Sequence, residues 1–309
     1  MEAENVSKLP VGEQWVYEPK YDGFRCLAFR DGDAIDLQSK NERPLARYFP
    51  ELAAALLSLP STSFVIDGEI VLPDHPFETL QLRLHPAQSR VATLSAQYPA
   101  QMIAFDLLAD DSGPLANQSF GERRAALEAF LAANRHPQLV LSDLTRSATT
   151  ARNWIGKKGL DGIVAKRLDI PYRPGERAMR KFKVWRSVDA VLAGMYLDPA
   201  TGTIDSLLFG LYDDQGKLNF VGHSRITADA DKLAKALKEI EGGQGFTGRS
   251  PAVMNRWSRN KRRFVPVQPV LVAELSADHI SGEYMRHGSR IVRWRTDKSS
   301  EDCTMEQVR

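Results

Sequence analysis

Alternation of apolar and polar residues dominates the N-terminal part of the chain and predicts β-strands there. The runs 14–20 and 24–30 alternate in this way, and Asp31-Gly32 is a strong turn signal before a third run at 34–38. Further apolar runs of strand length follow at 64–72, 102–108, 139–141, 160–166 and 180–185. These runs predict a strand-rich first part of the chain.

Helical spacing of apolar residues occurs in a few short segments between the strands. It predicts helices over 48–57 and 148–157, and two helical pieces between 77 and 96. The segment 119–122 is a capping box, in which Ser119 and Glu122 satisfy each other's backbone N–H groups, and it begins a helix that ends near Asn134. We expect these helices to flank the sheets.

The pattern changes after Arg186. Strands are predicted at 188–197, 207–212, 217–222, 270–275 and 291–295, with one helix at 229–240. Several strands and one helix in about 120 residues suit a small Greek-key barrel. We therefore expect an α+β protein with two domains, 1–186 and 187–309, and a hinge near Trp185–Val188.

Composition limits the partners and the compartment. Hydrophobic residues make up 43% of the chain and charged residues 26%, as in ordinary soluble globular proteins. The net charge is only +2, so any nucleic-acid site must come from local clusters of basic residues. Cys26 and Cys303 fit neither a disulfide framework nor a zinc site. The sequence has no apolar run of membrane-spanning length and no signal-peptide core, so we expect a cytoplasmic protein.

The stretch from Glu18 to Arg25 carries the strongest chemical signal. It places Lys20 two residues before Asp22-Gly23, at the junction of two strands. Lysine can lose its proton and act as a nucleophile, whereas arginine cannot because its pKa is much higher. Arg25 adds a planar fork suited to phosphate or ribose oxygens. Taken alone, the stretch is equally consistent with a solvated β-hairpin, because short motifs have high false-positive rates.

More charged residues interrupt or flank the apolar strands. They are Lys40, Asp67, Glu69, Asp106, Asp161, Lys181, Lys183, Arg290, Arg293, Arg295, Asp297 and Lys298. Placing a charge in an apolar strand costs desolvation free energy. Several such strands together therefore indicate a shared cleft, in which carboxylates and cations face each other and a ligand.

Taken in order, these motifs resemble those of the covalent nucleotidyltransferase superfamily, and specifically the ATP-dependent DNA ligases. The nearest match is the bacterial ligase C type, close to the ligase module of the bacterial end-joining ligase. The segment 20–25 resembles the adenylation motif, and 290–298 resembles the C-terminal motif with its Arg-x-Asp-Lys core. Between them, 67–69, 105–106, 161–166 and 181–183 match the intermediate motifs.

The resemblance implies both a fold and an activity. The fold is a nucleotidyltransferase (ATP-grasp-like ligase) domain with antiparallel sheets and flanking helices, followed by an OB-fold β-barrel. The activity is the sealing of 5′-phosphate/3′-hydroxyl nicks in DNA repair, with ATP as cofactor. AMP passes from lysyl-AMP to the 5′-phosphate, and the neighbouring 3′-hydroxyl then displaces it.

The resemblance also implies roles in the first step. Lys20 would attack the α-phosphate of ATP, while Lys181 and Lys183 neutralise phosphate oxygens. Glu69 and Asp161 would bind Mg²⁺, with Mn²⁺ as an alternative. In the C-terminal motif, Arg295 and Lys298 would orient the pyrophosphate leaving group.

Recognition of the nucleotide and the DNA is assigned in the same way. Phe105 would stack on adenine, although an aromatic residue in an apolar strand is more often part of the core, and Glu18 would accept a hydrogen bond from the adenine amino group. The expected ATP-binding residues are Glu18, Lys20, Arg25, Glu69, Phe105, Lys181 and Lys183. The expected DNA-binding residues are Arg25, Lys40, Arg256, Arg262 and Arg293.

Three features depart from the family pattern. Lys40 and Glu42 stand where arginine and glycine are common, so a bidentate fork is missing from 5′-phosphate recognition. Asp161 stands where many members have glutamate, so its contact with the metal would pass through water. The catalytic motifs begin almost at residue 1, so we expect two domains to grip the DNA, with a recruiting partner such as an end-binding protein or a polymerase/primase.

Two other interpretations stay open at this point. RNA ligases and GTP-dependent capping-type enzymes share the lysine motif, but Glu18 with Phe105 and the Arg-rich C-terminal motif favour a DNA ligase. A nucleic-acid-binding scaffold without catalysis would form no covalent adduct.

We expect a nucleoid-associated monomer acting on nicked double-stranded DNA. The sequence does not decide between nicks and double-strand breaks, nor does it give the repair pathway, the recruiting partner or the preferred metal.

Overall fold

In a computed structural model of the chain, the described residues are 1–157, 159–198, 200–225, 237–251, 263–277, 280–281, 283–285 and 288–308. The chain divides into two compact units, Met1–Lys183 and Val184–Arg309. Each unit has its own hydrophobic core. The domain limits 1–186 and 187–309, with the hinge near Trp185–Val188, stay a prediction.

The first unit combines strands with short helices. Its strands are β1 (Ala3–Val6), β2 (Trp15–Tyr21), β3 (Phe24–Asp31), β4 (Ala34–Ser39), β5 (Ser63–Val71), β6 (Gln101–Asp110), β7 (Gly113–Pro114), β8 (Leu139–Leu141), β9 (Leu160–Arg167) and β10 (Met179–Phe182). Its helices are α1 (Pro50–Leu57), α2 (Phe77–Gln81), α3 (Gln88–Gln97), α4 (Phe120–Ala133) and α5 (Ala148–Arg152), and a 3-10 turn lies at Ala46–Tyr48.

These strands form two sheets. A four-stranded sheet has the order β1-β10-β9-β2, and a six-stranded sheet has the order β4-β3-β5-β6-β7 with β8 beside β6. The pairing is antiparallel except for β1 with β10 and β6 with β8, which are parallel. In both exceptions a short strand extends a sheet whose other pairs are antiparallel. The antiparallel pairs agree with the fold that the family resemblance implies.

Helices α1 and α4 contribute to the core beside the larger sheet. Leu52 and Leu56 of α1 are buried in the same cluster as Leu127 and Phe130 of α4 and Ile66 of β5. The predicted capping box begins α4: Ser119 Oγ accepts a hydrogen bond from Glu122 N, and the Glu122 carboxylate accepts one from Ser119 N. This packing holds β5 and β6 in place.

The second unit is dominated by strands. They are β11 (Arg186–Leu197), β12 (Ile204–Tyr212), β13 (Leu218–Arg225), β14 (Arg263–Pro266), β15 (Val272–Ala277), β16 (Ile280–Ser281), β17 (Tyr284–Met285) and β18 (Arg290–Trp294), with 3-10 turns at Ser300–Asp302 and Met305–Val308. The main sheet has the order β13-β12-β11-β15-β18. A parallel bridge from Ser224 to Ser289, next to β18, joins the two ends of this order and closes the barrel.

Some predicted elements differ from the structure. Helix α5 ends at Arg152 rather than near 157, and β10 ends at Phe182 rather than at Trp185, whose side chain is exposed. Strands β1 and β14 were not predicted; each is four residues long and is held by pairing with a strand distant in sequence, which local alternation cannot reveal. Most of the predicted helix 229–240 lies outside the described residues, and 237–239 are helical.

Candidate active site

Lys20 lies at the end of β2 and contacts Asp161 of β9. Lys20 Nζ is 2.7 Å from Asp161 Oδ2, and Lys183 Nζ is 2.8 Å from the same oxygen. Strand β9 pairs with β2 on one side and with β10 on the other, and Lys183 directly follows β10. Three neighbouring strands therefore gather two lysines around one carboxylate, although these residues are far apart in sequence.

The Asp22-Gly23 turn brings Glu69 of β5 next to this cluster. Gly23 N donates a hydrogen bond to Glu69 Oε1 over 3.2 Å. A Cβ atom at Gly23 would lie 2.2 Å from the carbonyl oxygen of Ile70, so the turn requires glycine. Burial raises the pKa of Glu69 to about 7, although Lys20 and Arg25 act in the opposite direction.

Arg25 of β3 is held on several sides. Its Nε and Nη2 atoms bind the two Asp67 oxygens over 3.0 and 2.6 Å. Its Nη2 also contacts the Tyr172 hydroxyl at 3.3 Å, and Nη1 donates to the Met1 carbonyl. The Tyr172 hydroxyl in turn donates to Asp67. Arg25 is therefore part of a fixed network, and its guanidinium lies 5.9 Å from the centroid of the Phe105 ring.

Phe105 and Glu18 form the aromatic and acidic part of the site. Phe105 is half-buried on β6, and the neighbouring Asp106 is buried in a bidentate pair with Arg123. Glu18 is buried on β2, and its carboxylate lies 2.6 Å from Lys166 Nζ. Burial raises the pKa of Glu18, against the effect of Lys166. Lys166 Nζ also lies 4.5 Å from the centroid of the Phe105 ring.

Some of these side chains line a cavity of about 480 Å³, and the predicted residues Asp161 and Lys183 are not among those that line it. Of the predicted residues, Glu18, Lys20, Arg25, Lys40, Glu69, Phe105 and Lys181 line it. Burial lowers the pKa of Lys181, as do the ammonium groups of Lys183 and Lys20. The structure therefore brings together lysine side chains, an arginine, carboxylates and a half-buried aromatic ring, which is an arrangement that can hold a nucleoside triphosphate.

Sequence reasoning missed part of the cavity wall. Residues 2–5 line the cavity because β1 pairs with β10, and no local signal marks this segment. Lys166 also lines the cavity. It is the last residue of the recognised motif 161–166 and lies two residues after Val164, so both side chains are on the same face of the strand. This spacing could have identified it from the sequence. Tyr172 lies after β9, in a segment where sequence alone indicates only a loop.

Lys40 is exposed and lies 3.0 Å from Glu2. Glu42, two residues later, has φ of 58°, a left-handed conformation that favours glycine. This agrees with the glycine that is common at this position in the family. The turn keeps its shape here although the side chain is larger.

In the second unit, the predicted C-terminal motif forms its own charged cluster. Arg295 Nη1 lies 2.9 Å from Asp189 Oδ1, and Lys298 Nζ lies 2.9 Å from Asp189 Oδ2. Arg295 also binds Asp297 over 2.8 and 2.9 Å, which lowers the pKa of Asp297 to about 2. Arg293 lies 2.7 Å from Glu274. The predicted DNA contacts Arg256 and Arg262 lie outside the described residues.

Comparison with protein families accounts for both units. The model of the ATP dependent DNA ligase domain matches residues 3–183, and that of the ATP dependent DNA ligase C terminal region matches residues 200–298. The chain belongs to the ATP-dependent DNA ligases. This membership confirms the predicted superfamily and the use of ATP, and it confirms the fold as a nucleotidyltransferase domain followed by an OB-fold domain.

Individual relatives refine the family assignment. DNA ligase C2 of Mycolicibacterium smegmatis is 42% identical over 100% of this chain and 93% of its own length. DNA ligase C of Mycobacterium tuberculosis is 37% identical over 100% of this chain and 92% of its own length. A solved Lig E DNA ligase is 16% identical with a TM-score of 0.61, and the match covers 96% of this chain and 100% of that one. The Lig E structure shows the same fold.

The ligase C type and DNA ligase activity are confirmed, and an RNA ligase or capping enzyme is not favoured.

The structure also bears on metals and membranes. No group of three His, Cys, Asp or Glu side chains is arranged to hold a metal ion among the residues that the structure describes. Within the same residues, no helix has the length and apolar composition needed to cross a membrane. A metal held by fewer protein ligands, together with substrate oxygens, is compatible with the first finding.

Proposed function

We propose that this ligase seals 5′-phosphate/3′-hydroxyl nicks in double-stranded DNA through a lysyl-AMP intermediate on Lys20. The observation that carries the proposal is the position of Lys20. Its amine contacts Asp161 at 2.7 Å, in the wall of a cavity large enough for a nucleotide. The family membership supplies the reaction class, and this contact supports the choice of nucleophile.

In the first step, Lys20 Nζ forms a bond to the α-phosphorus of ATP, the bond from that phosphorus to pyrophosphate breaks, and pyrophosphate leaves. The amine must lose a proton before it attacks. Asp161 Oδ2 accepts a hydrogen bond from Lys20, so it holds the amine in position and offers a proton acceptor. Lys183 contacts the same oxygen and keeps Asp161 in place.

Cationic side chains on β10 are positioned to neutralise the phosphates. Lys181 lines the cavity with Lys20, and burial, with a smaller contribution from repulsion by Lys183 and Lys20, lowers its pKa. An entering triphosphate would relieve this repulsion. The same charge would stabilise the negative charge that builds up on the phosphate oxygens during transfer.

Glu69 and Asp161 suit a hard divalent cation. Glu69 accepts a hydrogen bond from Gly23, and no ion pair joins it to another described residue. A buried carboxylate with a pKa raised to about 7 gains stability when a cation binds it. We assign Mg²⁺, with Mn²⁺ as an alternative, to these two carboxylates together with ATP oxygens and water. When bound, the ion would supply charge neutralisation at the phosphates.

The aromatic end of the cavity would hold the base. Phe105 lines the cavity, and an aromatic ring there is suited to stacking on adenine. Glu18 Oε2 contacts Lys166 at 2.6 Å and Oε1 contacts Arg124 at 3.3 Å, and a carboxylate oxygen with a remaining lone pair would accept from the adenine amino group. A buried acceptor favours the amino group of adenine over the carbonyl of guanine, which supports ATP as the substrate.

The later steps require DNA and contacts outside the cavity. We propose that Lys40 and Arg293, which are exposed, contact DNA phosphates together with Arg256 and Arg262. Four of the five N–H donors of Arg25 bind Asp67, Tyr172 and the Met1 carbonyl, and the residue lines the cavity, so we assign it to the nucleotide end. We further propose that the ligase is a cytoplasmic, nucleoid-associated monomer in DNA repair, recruited by an end-binding protein or a polymerase/primase.

The test is covalent labelling. Incubation of the protein with labelled ATP and Mg²⁺, followed by peptide mapping, should place AMP on Lys20. Lys20→Arg keeps the positive charge but loses the nucleophile, so it should form no adduct and seal no nicks. Replacement of the exposed Lys8, as Lys8→Ala, is the matched control and should label normally. Labelling of another lysine, or equal labelling of Lys20→Arg, would overturn the assignment.

A further inference from the structure

We propose that Asp189, on the first strand of the second unit, is a positioning residue that holds Lys298 in place for the pyrophosphate leaving group, with Arg295 stiffening the carboxylate. The inference rests on the proposed lysyl-AMP step and on the role in it that the family resemblance implies for these two cations. The sequence analysis gave Asp189 no role, because it lies inside an apolar strand and belongs to none of the recognised motifs.

Asp189 is the shared partner of both cations. Its Oδ1 accepts from Arg295 Nη1 over 2.9 Å, and its Oδ2 accepts from the same nitrogen over 3.0 Å and from Lys298 Nζ over 2.9 Å. The Asp189 side chain is 15% exposed, so these contacts form in a partly desolvated setting in which charge-assisted hydrogen bonds are strong. One carboxylate thus fixes the spacing of two cations that are three residues apart in sequence.

The backbone of Asp189 is held as firmly as its side chain. Asp189 N donates to Gln307 Oε1 over 3.0 Å, and Gln307 Nε2 donates to the Asp189 carbonyl over 3.0 Å. On its other edge Asp189 pairs with Glu274 of β15. The side-chain amide of Gln307 therefore binds the backbone N–H and C=O of Asp189, as the backbone of a neighbouring strand would. A carboxylate held at its backbone and at its head group can set the position of the groups that it binds.

Glu274, the cross-strand neighbour of Asp189, adds an unfavourable electrostatic interaction to the sheet. Asp189 and Glu274 are direct partners in the ladder between β11 and β15, and like charges in such a pair are destabilising. Each is compensated by a different group: Glu274 contacts Arg293 and Ser187, whereas Asp189 contacts Arg295 and Lys298. Glu274 thus provides a matched control for Asp189 in the same sheet.

The contacts indicate different roles for Arg295 and Lys298. Arg295 makes hydrogen bonds from Nε, Nη1 and Nη2 to Asp189 and Asp297, and its side chain is 18% exposed. Lys298 gives one hydrogen bond to Asp189 and is 24% exposed, so its ammonium group keeps donors for a phosphate oxygen. Lys298 can contact pyrophosphate while it stays bound to Asp189, and Arg295 stiffens the carboxylate.

The experiment compares Asp189→Asn with wild type in the full-length protein. Self-adenylylation with ATP and Mg²⁺ should slow at least 10-fold, and pyrophosphate-driven reversal of lysyl-AMP should slow by the same factor. Sealing of a nick that already carries AMP should stay within 3-fold, because pyrophosphate has then left. Glu274→Gln removes the neighbouring charge and should self-adenylylate at the wild-type rate. Tighter pyrophosphate binding or faster adenylylation in Asp189→Asn would mean that Asp189 merely competes for the cations, and would overturn the proposal.

A double-mutant cycle separates this inference from the proposed function. In a protein that carries Arg295→Ala and Lys298→Ala, Asp189→Asn should slow self-adenylylation no further. If the two alanine changes themselves leave adenylylation intact, the proposed role of the cations fails. If they abolish it while Asp189→Asn alone has no effect, only the positioning role fails.

A second variant tests position without removing charge. Gln307→Met deletes the amide that clamps the Asp189 backbone and keeps the length of the side chain. It should slow self-adenylylation about 3-fold and leave sealing of the pre-adenylylated nick unchanged. An equal loss in both assays, or a loss fully explained by unfolding in a melting experiment, would show that the clamp is only structural.

Discussion

Two acidic residues of β5, Asp67 and Glu69, lie on the same strand yet have different electrostatic environments. Asp67 is neutralised by a bidentate contact with Arg25 and a hydrogen bond from Tyr172. Glu69 has one hydrogen bond from a backbone N–H, and burial raises its pKa to about 7. At the scale of single residues, Asp67 therefore serves the architecture, whereas Glu69 is poised to bind a cation.

Glu69 should make stability depend on pH in the absence of metal. Its pKa in the folded protein, about 7, lies above the value of 4.5 for an unperturbed glutamate. The folded state therefore binds the proton of the Glu69 carboxyl more tightly than the unfolded state does. The contribution of this proton to the free energy of unfolding is complete below the unfolded pKa and is lost as pH rises through 7. Glu69→Gln should unfold with a larger free energy than wild type at pH 8, by at most about 3 kcal/mol, with a smaller difference near pH 5.

The measurement is urea unfolding of both proteins at pH 5 and pH 8 in the presence of EDTA. Asp111→Asn is the control, because hydrogen bonds lower the pKa of this exposed carboxylate, so it is ionised at both pH values and the difference from wild type should be the same at pH 5 and pH 8. If Glu69→Gln and wild type differ by the same amount at both pH values, Glu69 is not desolvated in the way described.

At the scale of elements, the catalytic groups depend on how closely β9 and β10 approach. Gly162 of β9 has φ of 136°, and a Cβ atom there would lie 2.3 Å from the carbonyl oxygen of Phe182. Phe182 is the last residue of β10 and pairs with Ile163. Asp161 and Lys183 flank this contact, so the distance between their side chains is set by the absence of a side chain at Gly162.

Gly162→Ala should therefore damage both stability and chemistry. Backbone strain together with the clash should cost about 2–4 kcal/mol of unfolding free energy. The displacement of β10 should also move Lys183 away from Asp161, so that the folded fraction self-adenylylates at least 10-fold more slowly. Thermal melting and single-turnover labelling of the same sample measure the two effects.

Gly32→Ala isolates the backbone contribution. Gly32 has φ of 57° in the turn between β3 and β4, and nothing lies within 4 Å of a Cβ atom there. This variant should lose roughly 1–2 kcal/mol of stability and keep the adenylylation rate of its folded fraction. If Gly162→Ala behaves in the same way as Gly32→Ala, close approach of the strands does not govern the site.

At the scale of the whole molecule, the chemistry is divided between two units that each have their own core. The proposed nucleophile and the cavity belong to the first unit, and the Arg295–Lys298 cluster belongs to the second. If the second unit acts on pyrophosphate, its cations matter only while pyrophosphate is present.

This division predicts a separation of steps. Arg295→Ala and Lys298→Ala should lose self-adenylylation by at least 10-fold and should largely retain sealing of a chemically pre-adenylylated nick. Lys217→Ala, an exposed lysine in the same unit, should behave as wild type in both assays. An equal fall in both steps for the two motif variants would indicate a role in gripping DNA or in the fold.

The sequence by itself determined the local elements and the family. Strands such as β3 and β5 and the capped helix α4 follow from alternation and capping, which depend on residues close together in the chain. The ordered motifs gave the family and the ATP-dependent ligase activity, because the chemistry requires specific side chains at specific strand ends. The nucleophile Lys20 was chosen on the same grounds and stays a prediction.

Only the tertiary structure decided which groups share a partner. The single Asp161 oxygen between Lys20 and Lys183, the wall formed by β1, the Lys166–Glu18 pair and the Asp189 clamp all join residues distant in sequence. Such contacts depend on strand order and register, which are set by packing of the whole unit rather than by neighbouring residues. A pattern read along the chain shows which side chains are available, whereas burial and pairing across strands decide their protonation and position.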